Sequence, residues 1–147
     1  MRVLAVDPGD KRIGLAISDP TGTISRPLDV IKHQSREADA ENIVAAAQKF
    51  EVRLIIVGWA LDSMGEVGHR ARKSERLADR IREKCEIPVE MWDESGTTQD
   101  AIQSRIAMGV SRKKRSGHLD DIAASILLQD YLIQNEARLK NSDGEYG

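Results

Sequence analysis

Four acidic residues stand where strands or helices should begin or end: Asp7, Asp93, Glu94 and Asp120. Asp7 closes the apolar run Val3-Leu4-Ala5-Val6 and is followed by Pro8-Gly9, a turn signal. Asp93 and Glu94 close the run from Ile87 to Trp92, and Asp120 opens an apolar-periodic segment that reaches Leu132. Taken one at a time, each is more simply a helix cap or a surface turn residue. Taken together they make an all-oxygen ligand set, and oxygen ligands suit magnesium and manganese. Such carboxylates would repel one another without a cation. One Mg²⁺ or Mn²⁺ ion, or a pair about 3.5–4 Å apart, removes that repulsion, polarises a phosphoryl oxygen and activates water. The chemistry expected is phosphodiester hydrolysis by metal-activated water, with no covalent nucleophile.

The elements that must position these acids can be read from periodicity. Residues 2–6 read as a buried strand, Arg12 to Ser18 as a second, and Ile24 to Ile31 as a third, where Pro27 argues for an edge or a bulge. A helix follows over Ala38 to Phe50, with Ile43, Val44, Ala47 and Phe50 on one stripe. Arg53 to Gly58 is a short, mostly apolar strand of the kind buried on both faces. Residues 69–86 predict a long charged helix with Ala71, Leu77, Ala78, Ile81 and Cys85 inward, and Pro88 to Trp92 a fifth strand. Thr97 or Thr98 can cap a helix to about Met108; Gly109 to Gly117 reads as a basic loop, and His118 to Leu132 as the last helix. Its expected buried stripe is Leu119, Ile122, Ala123, Ile126 and Leu127, with Asp120 and Asp121 on the flanks; about 100° apart, only one of them can face a metal squarely. The predicted architecture is α/β, a mixed five-stranded sheet made of a three-stranded antiparallel meander plus two parallel strands, with helices on both faces. That is the element order of the ribonuclease-H-like fold. One domain over residues 1–138 and a polar tail over 139–147 are expected.

Composition narrows the function classes. At 147 residues, with 40% hydrophobic and 31% charged residues, the chain fits one globular domain. No apolar run is long enough to span a membrane. The N-terminus shows no basic-then-apolar leader pattern, and Cys85 is the single cysteine, so a reducing cytoplasm is the expected location. No Cys/His cluster suggests zinc. The net charge is −2, yet Arg112-Lys113-Lys114-Arg115 carries +4, a local patch suited to a polyanion. We read this tetrad as a clamp on the nucleic-acid backbone, and Lys11 and Arg12, beside Asp7, as further candidates to meet a phosphate. A second basic stretch from Arg70 to Arg82 is diluted by Glu75 and Asp79, and reads as a solvated helix face. Aromatic residues are only 3%, which argues for binding through phosphates and shape rather than base stacking.

The order and spacing of four segments resemble the YqgF family, Holliday-junction-resolvase-like proteins described as pre-16S rRNA nucleases. Asp7-Pro8-Gly9-Asp10-Lys11-Arg12-Ile13-Gly14-Leu15-Ala16 is similar to its opening D-x-G-x-x-x-I-G-x-A. Ile56 to Leu61 followed by Met64-Gly65 resembles its V-G-L-P-L and glycine loop, Asp93 to Thr98 its D-E-R-x-[ST]-T, and Leu119 to Gln129 its D-x-x-A-A-x-x-x-L-Q helix. The resemblance implies a ribonuclease-H-like fold and a divalent-metal nuclease. It further implies trimming of the 5′ end of precursor 16S rRNA, with structured RNA or a ribosomal particle as partner. Position by position, it makes Asp7, Glu94 and Asp120 the catalytic and metal-holding acids, with Asp93 adjacent, and it selects Asp120 over Asp121. Ser95 and Gly96 replace the family arginine and the apolar residue after it, and Trp59-Ala60 replaces the L-P pair.

Competing readings are a Holliday-junction resolvase acting on DNA, a non-catalytic RNA-binding module, and an actin-like ATP-binding domain. The resolvase reading requires a symmetric dimer, and no coiled-coil seam is present; a monomer or weak homodimer is expected. The actin-like reading requires two domains, and this length supplies one.

Overall fold

A computed structural model describes residues 1–59, 68–93 and 119–140, with the backbone alone at positions 69 and 119–121. Five strands, β1 (Val3–Pro8), β2 (Arg12–Ser18), β3 (Ser25–Lys32), β4 (Leu54–Trp59) and β5 (Val89–Asp93), form one sheet in the order β3-β2-β1-β4-β5. β1 pairs antiparallel with β2, and β2 with β3; β1 pairs parallel with β4, and β4 with β5. The predicted meander plus two parallel strands is therefore what forms. Helices α1 (Arg36–Lys49) and α2 (His69–Lys84) cover one face, and α3 (Leu119–Gln134) covers the other. The helix expected after Thr97 or Thr98 and the basic loop over residues 109–117 lie outside the described residues.

Local chemistry explains the boundaries. β1 and β4 are interior strands, which is why Val3 to Val6 and Leu54 to Val57 carry no polar alternation. Pro27 lies on the edge strand β3, opposite Ala16 and beside a register shift, where a missing N–H leaves no interior ladder bond unmade. Ser35 caps α1 by accepting from the Ala38 N–H at 3.1 Å, and Glu37 and Asp39 in the first turn match the helix dipole. At the β2–β3 turn Asp19 gathers hydrogen bonds from the backbones of Ile24, Thr23 and Thr21 and from the Thr21 hydroxyl. Desolvation pushes its carboxyl up, but these donors outweigh it and hold the group at about 2.

The alternation of β1 sorts the core into two clusters. Leu4 and Val6, with Ile55 and Val57, meet Ile43 and Ala47 of α1 and Leu77 and Ile81 of α2. Val3 and Ala5, with Ala16 and Ile56, meet Ala124, Leu127, Leu128 and Tyr131 of α3. One expectation needs correction here. The buried stripe of α3 is Ile122, Ala124, Leu127, Leu128, Tyr131 and Leu132, while Ala123 and Ile126 are only partly buried. A helix this apolar offers several stripes of equal quality, and its hydrogen bonds choose among them. Beyond α3, a short helical segment at 136–140 buries Leu139 in the α3-side cluster.

Those hydrogen bonds anchor α3 at two places. At one, the Ser25 hydroxyl donates to the Ser125 carbonyl at 2.6 Å, and Gln129 accepts from the Ser25 N–H and donates to the Thr23 carbonyl. At the other, the Tyr131 hydroxyl donates to Glu90 at 2.9 Å, the Trp92 indole N–H donates to Asp130 at 3.3 Å, and the Trp92 and Tyr131 rings meet edge to face, centroids 5.0 Å apart. Arg138 pairs with Glu90 from the short helical segment. Burial pushes the Glu90 carboxyl up, but the Arg138 and Tyr131 bonds outweigh it; burial first, then the bond to Glu90, drives the Tyr131 hydroxyl well above its ordinary range. Among the described residues no helix is long and apolar enough to cross a membrane.

Candidate active site

Strand register places Asp7 in a row across the top of the sheet. Asp7 pairs with Gly14 of β2, while Gly58 of β4, one step beyond the Val6–Val57 pair, pairs with Trp92 of β5. The row therefore reads Gly14, Asp7, Gly58, Trp92. Asp7 shares the parity of Val3 and Ala5, so it belongs to the face that α3 covers. A glycine on either side leaves no side chain level with its carboxylate on the adjacent strands. Glycine inside a strand is otherwise unfavourable, and it marks positions that a ligand or another backbone approaches closely. Trp92 ends the row two strands away, at about 4.8 Å per strand, where its ring packs against Tyr131.

The turn after Asp7 is equally constrained. The Gly9 N–H donates to the Arg12 carbonyl at 2.8 Å, and a Cβ on Gly9 would lie 2.6 Å from that oxygen, so only glycine closes this turn. The turn brings Asp10, Lys11 and Arg12 around an open cleft of about 360 Å³ together with Asp7, Gly14 and Arg70 of α2. Lys11 and Arg12 thus share a cleft with Asp7, and their exposure leaves them accessible.

The other expected residues fall differently. Asp93 ends β5 with the parity of Val89 and Met91, which pack on the α1–α2 face, so strand alternation puts it across the sheet from Asp7. Asp120 lies in the first turn of α3, the helix that packs over β1 and β2. Glu94 and the tetrad Arg112, Lys113, Lys114 and Arg115 lie outside the described residues. Among the described residues no three His, Cys, Asp or Glu side chains gather. Among the described residues the cleft around Asp7 presents the carboxylates of Asp7 and Asp10 and no thiol or imidazole, a donor chemistry that fits a hard divalent cation.

Three features escaped the sequence reading. Gly14 and Gly58 open the space beside Asp7, and a strand-parity count would have found them. Arg70 belongs to the basic stretch read as a solvated face, yet it lines the Asp7 cleft. That stretch divides in two. Arg80 pairs with Glu83 and Glu37, Arg82 with Asp79, and Lys84 with Glu37 and Glu41, whereas Arg70, Arg72, Lys73 and Arg76 have no acidic partner among the described residues.

Comparison with known proteins bears on the family and the fold. The family model described as "RuvX: Holliday junction resolvase" matches residues 1–134. A protein of Halothermothrix orenii named "Putative pre-16S rRNA nuclease" is 42% identical over 132 residues, covering 90% of this chain and 94% of its own. A protein of the same name from Thermoanaerobacter pseudethanolicus is 40% identical over 133 residues, covering 90% and 96%. Among solved structures, Thermus thermophilus RuvC in complex with a Holliday junction substrate superposes with a TM-score of 0.63 at 17% identity, over 92% of this chain and 96% of that one. The fowlpox virus Holliday junction resolvase gives 0.52 at 15% identity, over 91% and 99%. These likenesses establish the ribonuclease-H-like fold. With the family model matching nearly the whole chain and curated relatives at about two-fifths identity, the chain belongs to the YqgF (RuvX) family of Holliday-junction-resolvase-like proteins.

Proposed function

We propose that this protein is a divalent-metal-dependent endonuclease acting on structured RNA, with the 5′ end of precursor 16S rRNA as its substrate and a cytoplasmic site of action. The observation that carries the reading is the row Gly14, Asp7, Gly58, Trp92: an acid at a strand end, on the face covered by α3, left open by glycine on both sides. The naming of the curated relatives supports the choice of RNA.

Asp7, Glu94 and Asp120 are assigned as the acids that hold Mg²⁺ or Mn²⁺, as one or two ions. Because alternation removes Asp93 from the Asp7 face, Glu94 is the acid that the end of β5 offers to this set. The bound cation supplies Lewis acidity toward the phosphodiester and a lowered pKa for the attacking water. The chain itself orients the substrate: Lys11 and Arg12 meet the phosphate beside Asp7, and Arg112 to Arg115 hold the backbone farther along. Replacing all four tetrad cations by alanine is expected to weaken RNA binding and flatten its salt dependence, since each phosphate contact contributes to the salt slope; unchanged binding would remove them from the interface.

The test is cleavage of a precursor 16S rRNA 5′-leader fragment in Mg²⁺, Mn²⁺ or EDTA, beside a four-way DNA junction of equal length. Metal-dependent cutting of the RNA alone supports the reading. Paired cutting of the junction alone would replace it with resolvase activity, and binding without cutting in any metal with the non-catalytic module.

A further inference from the structure

We propose that a second cleft, on the other side of the Pro8–Gly9 turn from Asp7, is a phosphate subsite for the same nucleic-acid strand. The inference deepens the nuclease reading, on which its choice of ligand rests. This cleft, about 260 Å³, takes Pro8 and Gly9 as one wall and adds His33, Arg36, Asp39 and Lys73. Pro8 and Gly9 also line the Asp7 cleft, so the two spaces share a wall. Small-molecule sites occupy roughly 300–1,000 Å³; this one is slightly smaller, and suits a phosphate group better than a whole nucleotide.

Its charge is set by which groups are already committed. Asp39 is only 2% exposed, and both its oxygens are used: Oδ2 lies 2.5 Å from Nδ1 of His33, and Oδ1 accepts from the Gln34 N–H at 3.1 Å. The acid in the lining thus has both oxygens engaged inside the fold, turned to His33 and the Gln34 N–H. Arg36 and Lys73 have no acidic partner among the described residues, unlike the ion-paired cations at the far end of α2.

Helix geometry joins the two clefts. Arg70 and Lys73 are three residues apart, hence neighbours on one face of α2. Arg70 lines the Asp7 cleft and Lys73 lines the second, so one helical turn carries a cation into each. The first turn of α2 contains no acid and Gly68 supplies no side-chain cap, a placement of cations that the helix dipole disfavours. A polyanion lying across the turn gives these charges the partner that the fold withholds. The strand at Asp7 would pass over Pro8–Gly9, with its next phosphates met by Lys73 and Arg36.

The experiment is fluorescence anisotropy of labelled RNA and DNA strands in EDTA, where no metal-dependent cutting occurs, across a salt series. The Arg36→Ala/Lys73→Ala variant is expected to bind more weakly and to show a log–log salt slope shallower by about 1.4–1.8, two contacts at roughly 0.7–0.9 each. An Arg80→Ala/Arg82→Ala control removes the same charge from the ion-paired end of α2 and is expected to keep the wild-type slope. Circular dichroism melts confirm that both variants are folded. A wild-type slope in the Arg36/Lys73 variant, equal losses in the control, or no binding by the wild type each overturns the subsite. Because binding is read without metal, a failure to cut leaves this result intact and sinks only the nuclease reading.

Discussion

Asp7→Asn is expected to lower metal-dependent cleavage about a thousandfold or more while leaving the melting temperature nearly unchanged. The substitution keeps the shape and removes the charge. A metal contributes several kcal/mol of transition-state stabilisation, and about 1.4 kcal/mol is a factor of ten in rate. Losing about 4 kcal/mol of it corresponds to a thousandfold. The fold should tolerate the change, because Gly14 and Gly58 stand level with Asp7 on the neighbouring strands and put no side chain directly against it. Cleavage rates in Mg²⁺ and Mn²⁺, measured with a thermal melt of the same preparation, check both halves. An asparagine variant that cuts at the wild-type rate moves the metal site away from β1.

Tyr131→Ala should be among the most destabilising single changes in the chain, and Tyr131→Phe much milder. Tyr131 is 1% exposed and among the largest fully buried side chains. Removing a buried aromatic side chain costs about 3–5 kcal/mol through lost transfer energy and the cavity left behind. Phenylalanine keeps the ring against Trp92 and loses only the bond to Glu90, which Arg138 still holds. Glu90 is about a third exposed, so that loss should be about 1 kcal/mol. Urea unfolding followed by tryptophan fluorescence separates the two cases. Equal losses would mean that the hydrogen bond, not packing, fastens α3 to β5.

The sheet was legible because its signals are local and of two kinds. β1 and β4 are interior strands and read as apolar runs, and Pro27 announced an edge strand without any knowledge of its neighbours. The site was legible in part. Asp7 stood out as an acid closing such a run, but the alternation of β5 that separates Asp93 from it appears only once register is known. α3 was the least legible element. Apolar residues occur almost all around it from Ile122 to Ile133, so periodicity could not choose a stripe; the choice is made by Ser25, Glu90 and Trp92, which are remote in the chain. The same remoteness hid Leu139, whose burial depends on the cluster it joins and not on its polar neighbours in sequence. His33 and Asp39, six residues apart, gave no periodic signal, and only the packing of β3's end against α1 brings them together.

The central place of β1 also bears on when the site can exist during synthesis. The strand that carries Asp7 is made first, and its hairpin with β2 can close as soon as the next few residues leave the ribosome. Its other neighbour, β4, arrives some forty residues later, and the helix that covers the Asp7 face arrives after every strand of the sheet. Until residues 119–140 have emerged, Val3, Ala5, Ala16 and Ile56 lack the apolar cover that α3 gives them. The proposed nuclease centre, assembled in this order, stays unformed on the nascent chain while that chain is still close to ribosomal RNA and to its own message.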